Sequence, residues 1–247
     1  MDAVSIPAPS SPAPDRVREL AGGSPLVALW RNDYGGVTFR AADGRIIKHG
    51  PRQAETTMAA EAARMHWVRT EAGYPAVPEV LEAGEDATEE WLVTRELPGL
   101  SAVDPRWLAE PARAIRAVGA GLRRLHDALP VDACPFDWGV PSRLANAAGR
   151  GITVPEALHS PPPIDLLVVC HGDACCPNTL LDDAGAPLAH VDLGALGVAD
   201  RWADIAVAAM STEWNYGPGW ERALIDAYGI TPDAERLQYY RDLWNAT

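Results

Sequence analysis

The sequence predicts an α+β protein of two unequal lobes, a small β-rich N-terminal lobe with one helix and a larger, mainly helical C-terminal lobe. Short β-prone runs joined by turns lie mainly in the first part of the chain, and segments of helical composition fill most of the rest. Leu97-Pro98-Gly99 interrupts the chain between them. We therefore expect a flexible, proline-rich tail over 1–14, one lobe over 15–96 and the other over 97–247.

The N-terminal lobe is predicted from four β-prone segments and one helical segment. An Asp-Gly turn joins the second and third of these strands, which favours a hairpin. Residues 53–70 have a helical composition, with Met58, Ala62 and Met65 at roughly helical spacing. The predicted strands cover 26–30, 37–40, 45–48 and 89–94.

The C-terminal lobe is predicted to begin with a helix over about 104–128. A stretch that contains several prolines and glycines follows over 130–163. Three short strands are predicted next, at 166–170, 179–182 and 188–192, and helical segments at 200–213, 219–228 and 233–246. Trp202 and Trp214 are expected to lie in the core of this lobe.

Composition excludes several classes of protein. The chain has 247 residues, of which 47% are hydrophobic, so it is long and apolar enough for a hydrophobic core, and its four cysteines are too few for a disulfide scaffold. It contains no apolar run that could span a membrane and no signal-peptide pattern, so we expect a cytoplasmic protein without membrane contact. A net charge of −13 disfavours a nucleic-acid partner and suits a cationic ligand.

Lysine usage is strongly biased. Of the 21 basic residues, 20 are arginine, and the one lysine is Lys48. The two side chains are not equivalent where a compact ammonium must meet a phosphate. Lys48 is therefore a candidate for a role that arginine does not fill, and the alternative is a surface lysine without a role.

Oxygen-bearing side chains follow three predicted strands. Asp173 comes just after an apolar strand, Asn178 begins the next strand, and Asp192 ends the third. A loop of about five residues between neighbouring strands can bring such side chains to one end of a hairpin. Their oxygens are ligands that suit Mg²⁺, and the remaining aspartate would be free to take a proton from an attacking hydroxyl.

These residues form two motifs that resemble those of kinase-like phosphotransferases. His171 to Asn178 match His-Gly-Asp-x-x-x-x-Asn, and Asp192-Leu193-Gly194 follows where protein kinases have Asp-Phe-Gly. The sequence is most similar to the aminoglycoside phosphotransferase family, over roughly 30–243 and most strongly over 169–206. The resemblance implies a bilobal, protein-kinase-like fold.

The resemblance also implies a role for each candidate residue. Asp173 would accept or orient the proton of the substrate hydroxyl, and Asn178 and Asp192 would hold Mg²⁺. Lys48, fixed by Glu61 of the following helix, would contact the α- and β-phosphates of ATP or GTP. The remaining nucleotide contacts implied are the loop over 32–36, which contains Gly35 and Gly36, and a hinge from Arg95 to Leu97.

An aminoglycoside is the implied substrate, with its 3′-hydroxyl favoured over the 3″-hydroxyl, and the implied outcome is antibiotic resistance. An acidic cleft would attract this polycation. We expect the enzyme to be a monomer. The candidate substrate contacts are Glu156, Glu213 and Trp244, and further acids nearby are Asp204 and Asp226.

Two other functions stay open. Trp244 and Asn245 stand where the resemblance leads us to expect acidic residues, so a kinase of another small hydroxylated metabolite is the alternative. A nucleotide-binding module without transferase activity is the third hypothesis, and the intact set of candidate residues argues against it. Gly35-Gly36 is equally explained by a hairpin turn, and no Cys-x-x-Cys pair supports a zinc site.

Overall fold

The computed structural model describes residues 7–8, 11–32, 35–53 and 56–247. These residues form an α+β protein with a β-rich N-terminal lobe and a mainly helical C-terminal lobe, as the sequence predicts. Much of the tail predicted over 1–14, and residues 33–34 of the predicted phosphate loop, lie outside the described residues. No helix among the described residues is both long and apolar enough to cross a membrane.

The N-terminal lobe is built on an antiparallel sheet with the strand order β1-β2-β3-β5-β4. Its strands are β1 Leu26–Arg31, β2 Val37–Ala41, β3 Arg45–Pro51, β4 Val80–Glu85 and β5 Glu89–Arg95, and its helices are α1 Asp15–Ala21 and α2 Met58–Thr70. The predicted Asp-Gly turn joins β2 to β3. Gly44 in this turn has a φ of 82°, a conformation that glycine adopts without a steric penalty.

Alternation along β3 directs neighbouring side chains to opposite faces of the sheet. Ile47 is fully buried in the cluster that contains Val17 of α1. Lys48, the next residue, points to the other face and reaches Glu61 of α2. The central position of β3 between β2 and β5 therefore fixes Lys48 at the face that α2 covers.

The start of α2 is held by side chains on both sides of it. Thr57 caps the helix, because its hydroxyl accepts from Ala60 N at 3.1 Å. Glu90 of β5 is 1% exposed and accepts from Met58 N at 3.0 Å and Gln53 N at 3.2 Å. These bonds fix the first turn of α2 on the sheet, and that turn carries Glu61.

The C-terminal lobe combines helices with short strands. The strands are β6 Leu100–Ser101, β7 Leu167–Cys170, β8 Thr179–Leu181, β9 Pro187–His190 and β10 Gly197–Asp200, and the helices are α3 Pro105–Leu108, α4 Pro111–Ala128, α5 Val140–Gly149, α6 Trp202–Tyr216, α7 Glu221–Tyr228 and α8 Ala234–Ala246. β6, β8 and β9 form one small sheet, and β7 pairs with β10.

Helix α6 is the centre of the C-terminal core. Its residues from Trp202 to Thr212 are all buried. The surrounding cluster also contains Trp107, Ile115 and Tyr228. A second cluster joins the lobes, because it includes Met65 of α2 together with residues of α4 and β7 and of the segment after β9. The loops at this junction are therefore supported from both lobes.

Several elements differ from the prediction. The predicted helix over 104–128 is broken into α3 and α4, since Pro111 occupies the first turn of α4 and starts a new helix. The third predicted strand ends at His190, so Asp192 lies in the following loop. Helices α1 and α5 and strands β4 and β10 have no counterpart in the prediction.

The prediction that two tryptophans lie in the core is right for one of them and wrong for the other. Trp202 is 2% exposed, in agreement with its expected place in the core. The expectation for Trp214 is wrong, because its side chain is 58% exposed at the last turn of α6. The proposed boundary between residues 96 and 97 lies just after β5, and as a domain boundary it stays a prediction.

Gly119 of α4 gives a test of this packing. A Cβ there would lie 2.5 Å from Leu224 O and 3.0 Å from Ala227 Cβ of α7. Alanine is intrinsically better than glycine in a helix by about 1 kcal/mol. We nevertheless expect Gly119→Ala to lower the free energy of unfolding by about 1–3 kcal/mol in urea denaturation, because a backbone carbonyl cannot move away cheaply.

Gly149→Ala is the matched control. Gly149 ends α5, and a Cβ there would have no atom within 4 Å. This substitution should leave stability unchanged or raise it by up to about 1 kcal/mol. If both substitutions change stability in the same direction, the close contact between α4 and α7 is wrong.

Candidate active site

Lys48 is the centre of an ion-pair network in the cleft between the lobes. Its Nζ donates to Glu61 Oε1 at 2.7 Å and Oε2 at 3.0 Å, and to Asp192 Oδ1 at 2.9 Å. Burial opposes the ammonium charge, but Asp192 and Glu61 together outweigh it and raise the pKa of Lys48. Lys48 therefore carries its charge at neutral pH.

The loop between β7 and β8 brings Asp173 and Asn178 together. Asn178 Nδ2 donates to Asp173 O at 2.9 Å and to Asp173 Oδ2 at 3.1 Å. A short 3-10 turn over Cys176–Asn178 closes the loop, with Asn178 N donating to Cys175 O at 3.0 Å. Because its amide nitrogen is used in this way, the amide oxygen is the atom of this side chain that could serve as a ligand to a cation.

Gly172 allows the loop to approach the segment after Asp192. Its φ is +86°, and a Cβ there would lie 2.2 Å from Ala195 O. Any side chain would therefore collide with the backbone as well as strain its own conformation. The glycine of the His-Gly-Asp motif is explained by this close packing.

Asp204 of α6 stabilises the same turn by accepting hydrogen bonds from its backbone. It is fully buried, and its carboxylate accepts from His171 N at 2.5 Å and Gly172 N at 2.9 Å. His126 Nε2 lies 2.9 Å from the carboxylate, and His126 Nδ1 lies 2.8 Å from Tyr228 Oη. Burial opposes the charge of Asp204, but the hydrogen bond from His126 and the other donors outweigh it and lower its pKa.

His171 has a structural part in the loop. Its Nε2 lies 3.0 Å from Val191 O, and Asp173 N donates to its Nδ1 at 3.3 Å. Since Nδ1 accepts, Nε2 is the protonated nitrogen and donates to the carbonyl. This ring therefore joins the Asp173 loop to the chain just before Asp192.

Asp192 has an unusual backbone conformation. Among the described residues it is the one non-glycine residue with a positive φ, 66°. Aspartate tolerates this region better than most residues do. Its side chain is 50% exposed, and the charge of Lys48 holds its pKa below the usual range. The result is an ionised carboxylate that projects into the cleft.

Asp173 has one carboxylate oxygen without a hydrogen-bond partner. Burial, and then the charge of Asp192, raise its pKa, which makes it a stronger base than an exposed aspartate. Its Oδ1 is buried and has no nitrogen or oxygen donor within hydrogen-bond distance. A buried acceptor of this kind is costly unless a ligand pairs with it.

The donor set fits a magnesium ion. Asn178 offers an amide oxygen, Asp192 offers a carboxylate, and the unpaired oxygen of Asp173 adds local negative charge. Oxygen ligands of this kind, few in number and open to solvent on one side, suit Mg²⁺ with bound phosphates. The roles of these residues as ligands stay predictions.

The other predicted nucleotide contacts are Gly35 and Gly36 before β2, and the segment from Arg95 to Leu97 at the end of β5. Gly36 N donates to Asn32 Oδ1 at 2.6 Å, and Gly35 has a φ of 84°. A turn between β1 and β2 explains these two glycines as well as a phosphate contact does, so their role as nucleotide contacts stays a prediction. Arg95 is exposed and its Nε donates to Glu79 at 2.7 Å, and Leu97 is half-buried just beyond β5.

The predicted substrate contacts are Glu156, Glu213 and Trp244, and this role stays a prediction. Glu156 and Glu213 are exposed, and Trp244 is half-buried beneath the guanidinium of Arg143, 5.8 Å from its ring centre. Within the described residues, no hydrogen bond joins any of the three to Asp173. Asp204 cannot be one of the substrate acids, because it is buried and bonded to the backbone.

Asp204 and Glu90 are the supporting residues that sequence reasoning missed. Each is a buried carboxylate that accepts backbone N–H groups, from His171 and Gly172 in one case and from Met58 in the other. An acidic residue within an apolar run is the one signal available for such a role. Asp204 has that signal, since apolar residues flank it in α6.

Comparison with known proteins identifies relatives of this chain. A sequence profile of the phosphotransferase enzyme family matches residues 31–240. An aminoglycoside 3′-phosphotransferase of Streptomyces fradiae is 34% identical, over 80% of this chain and 82% of that protein. A streptomycin 3″-kinase of Streptomyces griseus is 35% identical, over 94% of this chain and 96% of that protein.

Solved structures agree with these matches. The aminoglycoside phosphotransferase APH(3″)-Id of Streptomyces rimosus superposes with a TM-score of 0.71 at 28% identity, over 92% of this chain and 94% of that one. Its complex with ADP and streptomycin superposes with a TM-score of 0.65, over 86% of this chain and 92% of that one. The kinase-like, two-lobed fold predicted from the sequence is therefore confirmed.

Asp204 makes a testable contribution to stability. In the native protein, two backbone N–H groups donate to the carboxylate of Asp204. In Asp204→Asn, the side-chain N–H₂ group would face one of these donors. We expect a loss of about 3 kcal/mol in the free energy of unfolding at pH 7, measured in urea. The folded-state pKa of Asp204 is lowered, so its contribution is complete above the unfolded pKa of about 3.9 and is lost as the pH falls through the folded value.

The difference between the two proteins should therefore be constant above about pH 5 and shrink below about pH 4. Asp226→Asn is the matched control, because Asp226 is on the surface with Arg222 as its partner, and it should change stability by less than about 0.5 kcal/mol. A gap that persists unchanged to pH 3 would contradict the role of an ionised Asp204.

Proposed function

The chain belongs to the phosphotransferase enzyme family, and on this basis we propose that it transfers the γ-phosphate of Mg-ATP or Mg-GTP to a hydroxyl of an aminoglycoside. Such a reaction confers resistance to the antibiotic. The observation that carries the proposal is the Lys48 ammonium, 2.7 Å from Glu61 and 2.9 Å from Asp192. Lys48, the candidate phosphate contact, is thereby bonded to Asp192, the candidate metal ligand.

Asp173 acts as the base. The acceptor hydroxyl donates to its Oδ1, the substrate oxygen forms a bond to the γ-phosphorus, and the bond from that phosphorus to the β,γ-bridging oxygen breaks. The proton passes to Asp173 and the nucleoside diphosphate leaves with the electron pair. The raised pKa of Asp173, due first to burial, suits a group that must take up this proton.

Lys48 and Glu61 position the nucleotide. Lys48 is held by Glu61, so its ammonium is already oriented before the α- and β-phosphates arrive. The loop that contains Gly35 and Gly36 covers the phosphates with backbone N–H groups, and the chain from Arg95 to Leu97 contacts the base. Phosphoryl transfer depends mainly on such positioning and charge neutralisation.

Asn178 and Asp192 hold Mg²⁺. When bound, the ion neutralises charge on the phosphates and aligns the γ-phosphate. Asp192 is kept ionised by Lys48, and Asn178 is kept oriented by its bonds to Asp173. Both ligands are therefore fixed by their neighbours.

The 3′-hydroxyl is the proposed acceptor position. Relatives named as 3′-phosphotransferases support this choice, among them that of Streptomyces fradiae. The 3″-hydroxyl of streptomycin is the second candidate, since the streptomycin 3″-kinase matches a larger share of this chain, 94%. A kinase of another small hydroxylated metabolite is the further alternative, because Trp244 and Asn245 stand where acidic residues are expected.

Loss of the base should abolish turnover. Asp173→Asn removes the proton acceptor and keeps the shape of the side chain. We expect kcat to fall by about 10²–10⁴-fold while the KM for nucleotide changes by less than about threefold. Steady-state release of nucleoside diphosphate in a coupled assay measures both.

Asp183→Asn is the control for this substitution. Asp183 lies in an exposed turn with Arg106 as its partner, and its removal should leave kcat unchanged. By contrast, Asp192→Ala should weaken binding of the Mg-nucleotide as well as turnover. A normal kcat in Asp173→Asn would show that another group is the base.

The acceptor is tested by the same assay with different drugs. We expect kanamycin and neomycin to stimulate release of nucleoside diphosphate more than about tenfold over a reaction without drug, and streptomycin to stimulate it less. An aminoglycoside that lacks the 3′-hydroxyl is the matched control and should give the basal rate. Stimulation by streptomycin alone would assign the 3″-hydroxyl, and binding of Mg-nucleotide without stimulation by any drug would favour the metabolite kinase.

A further inference from the structure

Helix α2 of the N-terminal lobe is hydrogen-bonded to the chain around Asp192, residues 190–196, which we call the Asp192 segment. Thr56 Oγ1, just before the helix, donates to Gly194 O at 2.7 Å. Arg64 Nε, on the helix, donates to Leu196 O at 2.8 Å. Both carbonyls follow Asp192 closely in the sequence, so these bonds join the two lobes beside the candidate metal ligand.

The chain that follows α2 is bonded to the same segment. It passes next to the end of β9, where His190 N donates to Ala76 O at 2.9 Å. The Asp192 segment is therefore hydrogen-bonded to the N-terminal lobe before α2, on α2 and after α2. Bonds spread over this length fix the direction of the helix relative to the segment as well as its distance.

Two further contacts orient the guanidinium of Arg64. Its Nη1 donates to Ala60 O of the preceding turn at 3.1 Å, and its central carbon lies 4.8 Å from the ring centre of Phe136 in the C-terminal lobe. Phe136 also contacts Trp67 of α2 edge-on, with the ring centres 6.0 Å apart. A guanidinium held between backbone carbonyls and an aromatic ring is restricted to one orientation, and this orientation directs Nε to the Asp192 segment.

The Asp192 segment lies directly against the first turn of α2. A Cβ on Gly194 would lie 3.1 Å from Thr56 Cγ2 and 3.8 Å from Glu61 Cβ. Lys48 binds Glu61 and Asp192 at the same time, so the two carboxylates must keep a fixed separation. An ammonium on a flexible stem imposes little geometry of its own, whereas the hydrogen bonds from α2 to the backbone of the segment are directional.

We propose that Thr56 and Arg64 are positioning residues, which hold the backbone around Asp192 in a fixed place relative to Glu61. The inference rests on the proposed phosphotransferase function. Loss of either bond should displace Asp192, the candidate metal ligand, and leave the pair of Lys48 and Glu61 in place. Binding of the nucleotide together with Mg²⁺ should therefore weaken, and binding of the nucleotide alone should not.

Paired substitutions of Thr56 separate the hydrogen bond from the shape of the side chain. Isothermal titration calorimetry measures the Kd of ADP or GDP, whichever the unaltered protein binds more tightly, with Mg²⁺ and with EDTA. Thr56→Val removes the hydroxyl, and we expect the Kd in Mg²⁺ to rise about fivefold and the Kd in EDTA to stay within about twofold. Thr56→Ser keeps the hydroxyl and should restore the Kd in Mg²⁺ to within about twofold.

Thr70→Val is the matched control for Thr56→Val. Thr70 is exposed at the other end of α2, and its hydroxyl donates to His66 O of the same helix at 2.7 Å. The substitution therefore removes a hydrogen bond of the same kind and length without a contact to the Asp192 segment. Both Kd values should stay within about twofold of those of the unaltered protein.

Arg64→Met tests the second bond in the same way. It removes the guanidinium, and we expect the same loss in Mg²⁺ and no loss in EDTA. Arg106→Met is its control, because Arg106 also lies over an aromatic ring, that of Trp107, and donates to a backbone carbonyl, Asp183 O at 2.6 Å. These contacts are in the C-terminal lobe and do not involve the Asp192 segment, so both Kd values should be unchanged.

The proposal is overturned if Thr56→Val keeps the full affinity in Mg²⁺, or if Thr56→Ser is as weak as Thr56→Val. It is also overturned if the affinity falls equally in Mg²⁺ and in EDTA, because general damage to the lobe would produce that result. Should Thr56→Val fail to fold, Arg64→Met decides the question by the same comparison.

Hydrogen exchange followed by mass spectrometry tests the contact without any nucleotide. Peptides that cover 191–197 should exchange at least about threefold faster in Thr56→Val than in Thr70→Val, because the segment loses a bond that opposes its local opening. Equal exchange in the two variants contradicts the positioning role. An unaltered protein that phosphorylates no aminoglycoside contradicts the proposed function instead, and the exchange result still decides this inference.

Discussion

The ammonium of Lys48 is shared between two carboxylates, and the geometry of the cleft depends on this sharing. Glu61 lies 13 residues away on α2 and Asp192 lies 144 residues away in the other lobe. Buried charges are stable only when the partners are held in place, since the cost of desolvation is large. Glu90 and Thr57 fix the start of α2 that carries Glu61, and His171 ties the chain before Asp192 to the loop of Asp173. The two carboxylates that share Lys48 are therefore held in place from both lobes.

Local spacing explains why so much of the candidate site could be predicted from the sequence. The loop from His171 to Asn178 is short, so its residues must lie close together whatever surrounds them. The alternation of β3 likewise fixes the face on which Lys48 lies once its strand is recognised. The arginine bias of the composition adds independent information, because it singles out Lys48 as the one basic residue that is not arginine, and the two side chains are not interchangeable.

Long-range packing explains what could not be predicted. Asp204 is separated from His171 by 33 residues, and its role depends on α6 passing directly behind the turn at Gly172. The spacing of residues along the sequence does not indicate a contact between segments so far apart. Helix α1 follows a proline-rich segment and is only seven residues long, so its apolar pattern is too short to recognise. The burial of Trp214 was wrongly predicted because α6 is buried on every side up to Thr212 and becomes exposed only in its last turn.

The acidic surface and the choice of acceptor hydroxyl act at different ranges. A net charge of −13 attracts any polycation, but fields of this kind act over a screening length of about 10 Å and cannot distinguish neighbouring hydroxyls of one drug. That choice must come from side chains near Asp173. Helix α6 carries both exposed residues at its end, Glu213 and Trp214, and the buried Ser211 that anchors the loop of Asp173. Tyr216 also donates to Ala102 O at 2.5 Å, so both ends of the segment from Ser211 to Tyr216 are bonded to other parts of the lobe. A ligand that contacted the exposed residues of this segment would therefore be placed relative to the loop of the proposed base.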